Sequence, residues 1–320
     1  MKALRLVLVI TLLAGGPAFA EKVVVRMGHF PNITHAQALV AHQLSRQGRG
    51  WFERKLGPEA EIQWFTYNAG PSAMEAILAK SLDVTYVGPN PALNAYFKSQ
   101  SEEIRILAGA AEGGAALVVQ GDGRISRPAD FKGRKVGTPQ LGNTQDVVCR
   151  AWLLSQGFKV TQLGGDVLVI PTANPDQLSL FQKKELDAVW TVEPWVSRLE
   201  LEAGGKVFIE DTNAITTILV SSVQFLKHHK DLAMRLTAAH AELTKWIIAN
   251  TGEAQDLAAL EIKEETTRPM APELLLKTWP RLRFTSEISV DAMKQFVKSA
   301  REVGFLNDAS TDLSGIRPQP

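Results

Sequence analysis

The sequence predicts an α/β fold of two lobes, each a mixed, mostly parallel sheet flanked by helices, with a ligand cleft between them. Three observations carry that expectation. Residues 65–94 read strand, helix, strand, helix start. The same alternation returns over residues 135–209. Between the two sets, residues 108–116 (AGAAEGGAA) are small and glycine-rich, as befits a chain crossing from one lobe to the other.

Residues 1–20 read as an export signal. Lys2 and Arg5 precede an apolar core over 6–13, and Ala18-Phe19-Ala20 has the form of an A-x-A cleavage site. The apolar core is too short to span a bilayer, and no cysteine stands at the cleavage site to take a lipid. The expected product starts at Glu21, is soluble, and resides in a bacterial periplasm without direct membrane insertion. What remains of the 320 residues is enough for two domains of ordinary size. A net charge of +1 points to neither nucleic acid nor an anionic membrane surface. The single cysteine, Cys149, has no internal disulfide partner and lies in an apolar helical stretch, where it packs as a small hydrophobe.

In chain order, residues 22–28 form a first strand, followed by the loop His29-Phe30-Pro31-Asn32. Thr34 is placed to cap a helix with Ala36, Leu39, Val40 and Leu44 on one face. A strand over 62–67 is broken by Gly70-Pro71, and Ser72-Ala73-Met74-Glu75 has the capping-box form that starts a helix. After a strand over 84–87, Asn90-Pro91 reads as N-cap and first-turn proline. Strands over 104–108 and 117–120 bracket the crossing. The second set runs strand 135–137, a helix opened by Gly142-Asn143-Thr144, strand 167–170, a helix from Asn174-Pro175, strand 186–190, a helix from Glu193-Pro194, and strand 207–209. Residues 216–221 then read as the return crossing, and helices over 224–250, 252–264, 272–279 and 289–303 finish the chain. The expected lobes are 21–111 with 213–320, and 112–212.

Four strand-to-helix junctions stand out, around Ser72, Asn90, Asn143 and Glu193, two in each lobe. Open α/β sheets bind ligands at that edge. Helix starts present free N–H groups and partial positive charge, so the favoured guest is an anion. Each such polar residue is also an ordinary cap, and the joint arrangement carries the reading.

Gly50-Trp51-Phe52-Glu53, Ala69-Gly70-Pro71, and Leu82-Asp83 followed by Val87-Gly88-Pro89-Asn90-Pro91 occur in that order. Phe131-Lys132-Gly133-Arg134-Lys135-Val136-Gly137, Gly142-Asn143-Thr144, and Leu186-Asp187-Ala188-Val189-Trp190 with Glu193-Pro194-Trp195 follow. The ordered set covers nearly the whole mature chain. It resembles the substrate-binding proteins of nitrate/sulfonate/taurine ABC importers, most closely the aliphatic-sulfonate binders. The resemblance implies the two-lobed periplasmic binding protein fold and a membrane permease as partner; a monomer with no enzymatic activity and no cofactor is expected. It implies a small organic anion as ligand, an aliphatic sulfonate first, with nitrate, taurine, a sulfate ester or another small solute as alternatives. By position it implies ligand contacts from His29, Asn32, Gly70, Ser72, Asn90, Gly142, Asn143, Thr144, Trp190 and Glu193.

The same residues admit other readings. His35 and His42 share a helix face but stand seven residues apart, about 10.5 Å of rise, too far to hold one ion, so no metal site is expected. An exported hydrolase using Ser72 is a weaker alternative. Gly70-Pro71-Ser72 would need glycine where Met74 stands, and no P-loop or dinucleotide fingerprint is present. Glu193 has three uses open to it: pairing with an arginine, capping its helix, or meeting the amine of a zwitterionic ligand. Trp190 either packs in a core or stacks on an organic tail.

Overall fold

The computed structural model describes residues 22–161, 164–307 and 312–318, so the expected export signal lies outside the described residues. The chain enters through β1 (Val23–His29), in which Val25 and Met27 are fully buried. A 3-10 turn over Ile33–His35 leads into α1 (Ala36–Arg46) and α2 (Trp51–Leu56). β2 (Ala60–Thr66), α3 (Gly70–Leu78), β3 (Val84–Val87) and α4 (Pro89–Lys98) follow. β2 and β3 lie on either side of β1 and parallel to it, which requires a crossover, here α3, between them. β4 (Ile104–Gly113) ends this set and β5 (Ala115–Val119) begins the next.

The second set comprises β6 (Lys135–Thr138), α5 (Thr144–Ser155), the short pair β7 (Val160–Thr161) and β8 (Gly164–Gly165), and β9 (Leu168–Pro171). α6 (Asn174–Gln182), β10 (Ala188–Val192), α7 (Trp195–Ala203) and β11 (Lys206–Glu210) complete it. The chain returns through β12 (Ile215–Ser222) into α8 (Val223–His228), α9 (Lys230–Ala249) and α10 (Thr251–Thr266). It ends with α11 (Pro272–Thr278), β13 (Leu282–Phe284) and α12 (Val290–Glu302).

Among the described residues these strands make two large sheets, ordered β13-β4-β12-β3-β1-β2 and β11-β5-β10-β6-β9. β1, β2 and β3 are parallel, as are β6, β9 and β10, while β4, β5, β11, β12 and β13 join through antiparallel pairings. Each sheet is apolar on both faces. One face of the first buries Val25 and Met27 against Leu39, Leu236 and Leu257, and the other packs Val87 and Ile218 against Ile77, Leu93 and Met293. Sheets covered on both sides are what βαβ crossovers produce.

Three expectations change. Residues 216–221 are the middle of β12, a strand between β3 and β4, and not a crossing. Residues 108–113 extend β4, so the outbound crossing shrinks to Gly113-Gly114. Both glycines are left-handed, at φ +73° and +67°, and a Cβ on Gly113 would stand 2.4 Å from the Arg281 carbonyl oxygen. The small residues of β4 serve a different purpose. Where its pairing with β12 shifts register, Gly109 and Ala110 present carbonyls that accept from His240 Nε2 (2.8 Å) and Gln37 Nε2 (2.8 Å). Lastly, residues 282–284 form an edge strand inside the stretch expected to be helical.

Helix starts also move. α3 begins at Gly70 with Ala69 as N-cap, and α4 begins at Pro89 with Gly88 as N-cap. A proline's fixed φ and missing N–H suit the first turn, so Pro71 and Pro89 pull each helix ahead of Ser72 and Asn90. Thr34 lies in the 3-10 turn and caps nothing. Asn143 is the N-cap of α5 as expected, its Oδ1 accepting from Asp146 N at 2.8 Å. Cys149 is buried, which pushes its thiol upward and leaves it inert.

Candidate ligand-binding site

The C-terminal ends of β1, β2, β3, β6, β9 and β10 meet around one cavity of about 30 Å³, room for a group of a few heavy atoms. The first sheet contributes Asn32, His35, Asn68, Gly70 and Gly88. The second contributes Pro139, Asn143, Thr144, Gln145 and Asn174. Helices α3, α4, α5 and α6 all begin here, and first-turn N–H groups have no acceptor within their own helix.

The side-chain chemistry is that of a neutral donor set. Asn32 Oδ1 accepts from Trp195 Nε1 at 3.0 Å, which leaves its NH2 to face a guest. Asn174 Oδ1 accepts from Thr191 Oγ1 at 3.1 Å, with the same result. Gln145 Oε1 accepts from Asn143 Nδ2 at 3.2 Å, freeing the Gln145 amide NH2. His35 Nδ1 accepts from Phe30 N at 3.3 Å, so Nε2 carries the proton. Burial, and then the nearby His29, hold His35 well below its usual pKa, so it is a neutral donor. Among the described residues no Lys, Arg, Asp or Glu lines the cavity. Three amides with their carbonyls occupied, plus a neutral imidazole N–H, favour a guest rich in acceptors and poor in donors.

Four residues singled out in the sequence line this cavity: Asn32, Gly70, Asn143 and Thr144. Three more sit just behind it and close the lobes or shape the turn. Ser72 Oγ accepts from Gln140 Nε2 across the cleft at 3.2 Å. Asn90 N donates to Thr144 Oγ1 at 3.2 Å, again across the cleft, while its side chain donates to the Phe296 carbonyl. Gly142 N donates to Asp146 Oδ2 at 3.0 Å.

The remaining three do not line this cavity. His29 ends β1 and turns away, with Nε2 3.0 Å from Glu265 Oε1. Trp190 packs against Trp152 with ring centroids 6.1 Å apart, and borders a different cavity. Glu193 is fully buried, and its carboxylate accepts from Ser197 N, Ser197 Oγ and Arg281 Nη1. Burial pushes its pKa up against the opposing pull of Arg281 and Ser197. Sequence reasoning missed His35, Asn68, Gln145 and Asn174. Asn174-Pro175 carried a visible helix-start signal; His35 and Gln145 sit inside helical turns and carried none.

The NMT1-like family profile matches residues 18–262. The chain belongs to the NMT1-like family. A protein of Brucella abortus (strain 2308), described as a candidate binding protein, is 27% identical over 256 residues, covering 77% of this chain and 74% of that one. A candidate aliphatic sulfonates-binding protein of Bacillus subtilis (strain 168) is 26% identical over the same shares. The alkanesulfonate-binding protein SsuA of Xanthomonas axonopodis pv. citri, solved bound to MOPS, superposes with a TM-score of 0.74 at 15% identity, covering 93% of this chain and 99% of that one. That likeness establishes the two-lobed fold. Among the described residues no helix is long and apolar enough to cross a membrane.

In this NMT1-like chain a second, larger cavity of about 580 Å³ adjoins the first, sharing Thr144, Gln145 and Thr216 with it. Its walls are largely apolar, with Val148, Trp152 and Trp190 from the second lobe and Ile215 and Phe296 from the first, although Asp211, Lys298 and Glu302 also line it. A polar headgroup space thus opens beside an apolar annex.

Proposed function

We propose that this protein is the solute-binding component of an ABC importer and binds a small organic anion, an aliphatic sulfonate first, between its lobes. The observation that carries the reading is the neutral donor set at the converging helix starts. A sulfonate is an anion throughout the ordinary pH range and has only acceptors, so donors without counter-charge suit it. Charge-assisted hydrogen bonds contribute about 1.5–3 kcal/mol each, so a few supply much of the ~8 kcal/mol of micromolar affinity. The adjoining apolar annex favours an anion with an organic tail over nitrate, which has none. Taurine would place an amine in the annex, where Asp211 and Glu302 could receive it, so it stays an alternative; a sulfate ester fits the same chemistry as a sulfonate.

Several further features belong to this reading. The lobes comprise 21–111 with 213–320, and 112–212, although α12 also packs on α5 of the other lobe. Ligand joins the lobes because it touches both, and that differential affinity shifts the population toward the closed form. Delivery to a membrane permease and residence in the periplasm are proposed by analogy with the relatives, and function as a monomer belongs to the same reading. Ser72 Oγ has Gln140 as its partner, an amide that takes up no proton, so a hydrolase lacks its base.

A melting screen of small anions tests the proposal. Alkanesulfonates raise the melting temperature more than nitrate or sulfate, through the tail. If nitrate shifts it as much as any sulfonate, the annex has no part in binding and the organic-anion reading fails.

A further inference from the structure

Behind the ligand cavity, four side chains from three separate elements converge on one point. His29 ends β1, His42 lies in α1, and Glu261 and Glu265 are one turn apart in α10. Their ligand atoms all lie within 4.8 Å of one another. His29 Nε2 is 3.1 Å from His42 Nδ1 and 3.0 Å from Glu265 Oε1. His42 Nδ1 is 2.8 Å from Glu261 Oε1 and 3.4 Å from Glu265 Oε1. Around a four-coordinate ion with bonds of about 2.0–2.2 Å, neighbouring ligand atoms stand about 3.3–3.6 Å apart. The shorter spacings need to open by roughly half an ångström and the widest to draw in, while the 3.4 Å pair already fits.

Hydrogen bonds alone leave this cluster short of protons. The two ring nitrogens face each other and three carboxylate contacts, and each offers at most one N–H. The other nitrogen of His29 lies 3.4 Å from the Phe30 carbonyl, the outer partner that fixes a metal-ligating imidazole. Glu265 Oε1 also accepts from Thr66 Oγ1 at 2.7 Å, while Glu265 Oε2 is buried without a partner. Trp64 stacks on His42 at 4.9 Å and holds its ring. Arg46 Nε reaches both Glu261 oxygens, at 3.1 and 2.9 Å, which orients that carboxylate and still leaves a lone pair on Oε1. One divalent cation satisfies all four ligand atoms at once.

We propose that His29, His42, Glu261 and Glu265 form a binding site for one divalent transition-metal ion of the zinc class. The ion staples α10 to β1 and α1, directly behind the loop that carries Asn32 and His35. Spacing in the sequence pairs His42 with His35; the fold pairs it with His29, which is why the site was not expected.

The test uses the mature protein, stripped with a chelator and titrated with Zn2+ and Co2+. One equivalent of each is expected to bind, with visible Co2+ bands of four-coordinate intensity and a rise in melting temperature. Glu265→Gln and His42→Asn should each weaken Zn2+ binding at least 100-fold, while changing the surface pair His228 and His229 to Gln should not. A wild-type Co2+ complex with only weak six-coordinate bands, or no stoichiometric binding, overturns the proposal, and neither result depends on a variant folding. Binding that survives the α1 and α10 changes and disappears with the surface histidines overturns it equally.

Discussion

Arg281 Nη1 lies 2.9 Å from Glu193 Oε1, an ion pair between the lobes in which the carboxylate is fully buried and the guanidinium partly exposed. Arg281 follows α11 on the first-sheet side, and Glu193 follows β10 on the other. The same guanidinium meets Glu200 at 2.8 Å and Glu210 at 3.3 Å. One arginine therefore gathers three carboxylates of the second lobe beside the crossing at Gly113.

Removing this arginine exposes what it neutralises. Arg281→Met leaves Glu193 buried and unpaired, and the expected loss of stability is about 3–5 kcal/mol. Pairing it with Glu193→Gln should recover at least 1 kcal/mol, roughly the coupling of groups in contact. Urea denaturation of the double-mutant cycle measures this. Strictly additive losses would show that the pair is not coupled.

The amide orientations give a sharper test of the site. Asn32→Asp keeps the oxygen that accepts from Trp195 and replaces the inward NH2 with an anionic oxygen. The fold should be retained, while anion affinity falls by at least 2 kcal/mol, about 30-fold, through a lost charge-assisted bond and added repulsion. Asn174→Asp, held by Thr191, should behave alike. Titration calorimetry on folded variants is the measurement, and unchanged affinity in both places the anion elsewhere.

Gly88 sits where the lobes touch. A Cβ there would stand 2.4 Å from Thr144 Oγ1. Relief requires the lobes to part or Thr144 to rotate, and rotation forfeits its bond from Asn90 N. Gly88→Ala is expected to weaken ligand binding about tenfold, 1.4 kcal/mol, while unliganded stability changes little. Small-angle scattering should show a smaller contraction on adding ligand than in the wild type. An equal contraction contradicts the role given to this contact.

Two buried imidazoles set the acid limit of the fold. Burial lowers His240 to about 4, with Tyr86 Oη 2.8 Å from Nδ1 and the Gly109 carbonyl 2.8 Å from Nε2. His35 is lowered in the same direction. A base with a depressed folded pKa is neutral in the fold while the unfolded chain takes up a proton below about 6.5. Its stabilisation is therefore intact above pH 6.5 and lost as pH falls toward 4, by roughly 3 kcal/mol for His240. His240→Gln, which can mimic both hydrogen bonds, should flatten the slope between those limits. An unaltered slope in urea midpoints assigns the acid sensitivity to other groups.

The alternation of strands and helices was legible because prolines, glycines and apolar runs are local signals. β12 escaped because Thr216, Thr217, Ser221 and Ser222 break its apolar pattern; their side chains are buried by tertiary contacts that no window reveals. Asn143 was legible as a cap, since a cap is defined by its next three residues. His35 and Gln145 were not, because their donor roles depend on partners at Phe30 and Asn143 that fix tautomer and amide orientation only in the folded turn. Glu193 was misplaced among ligand contacts because its neutraliser, Arg281, is 88 residues away.

Binding of an organic anion by the neutral donors between the lobes is measured by calorimetric titration of the mature protein with an alkanesulfonate series. Saturable one-to-one binding is predicted, lost or weakened at least 30-fold in Asn32→Asp, with about 2.7 kcal/mol of added stability at 100 times the dissociation constant. No heat and no melting shift with any sulfonate, sulfate ester, nitrate or taurine, or sulfonate binding that is untouched by Asn32→Asp, would contradict it.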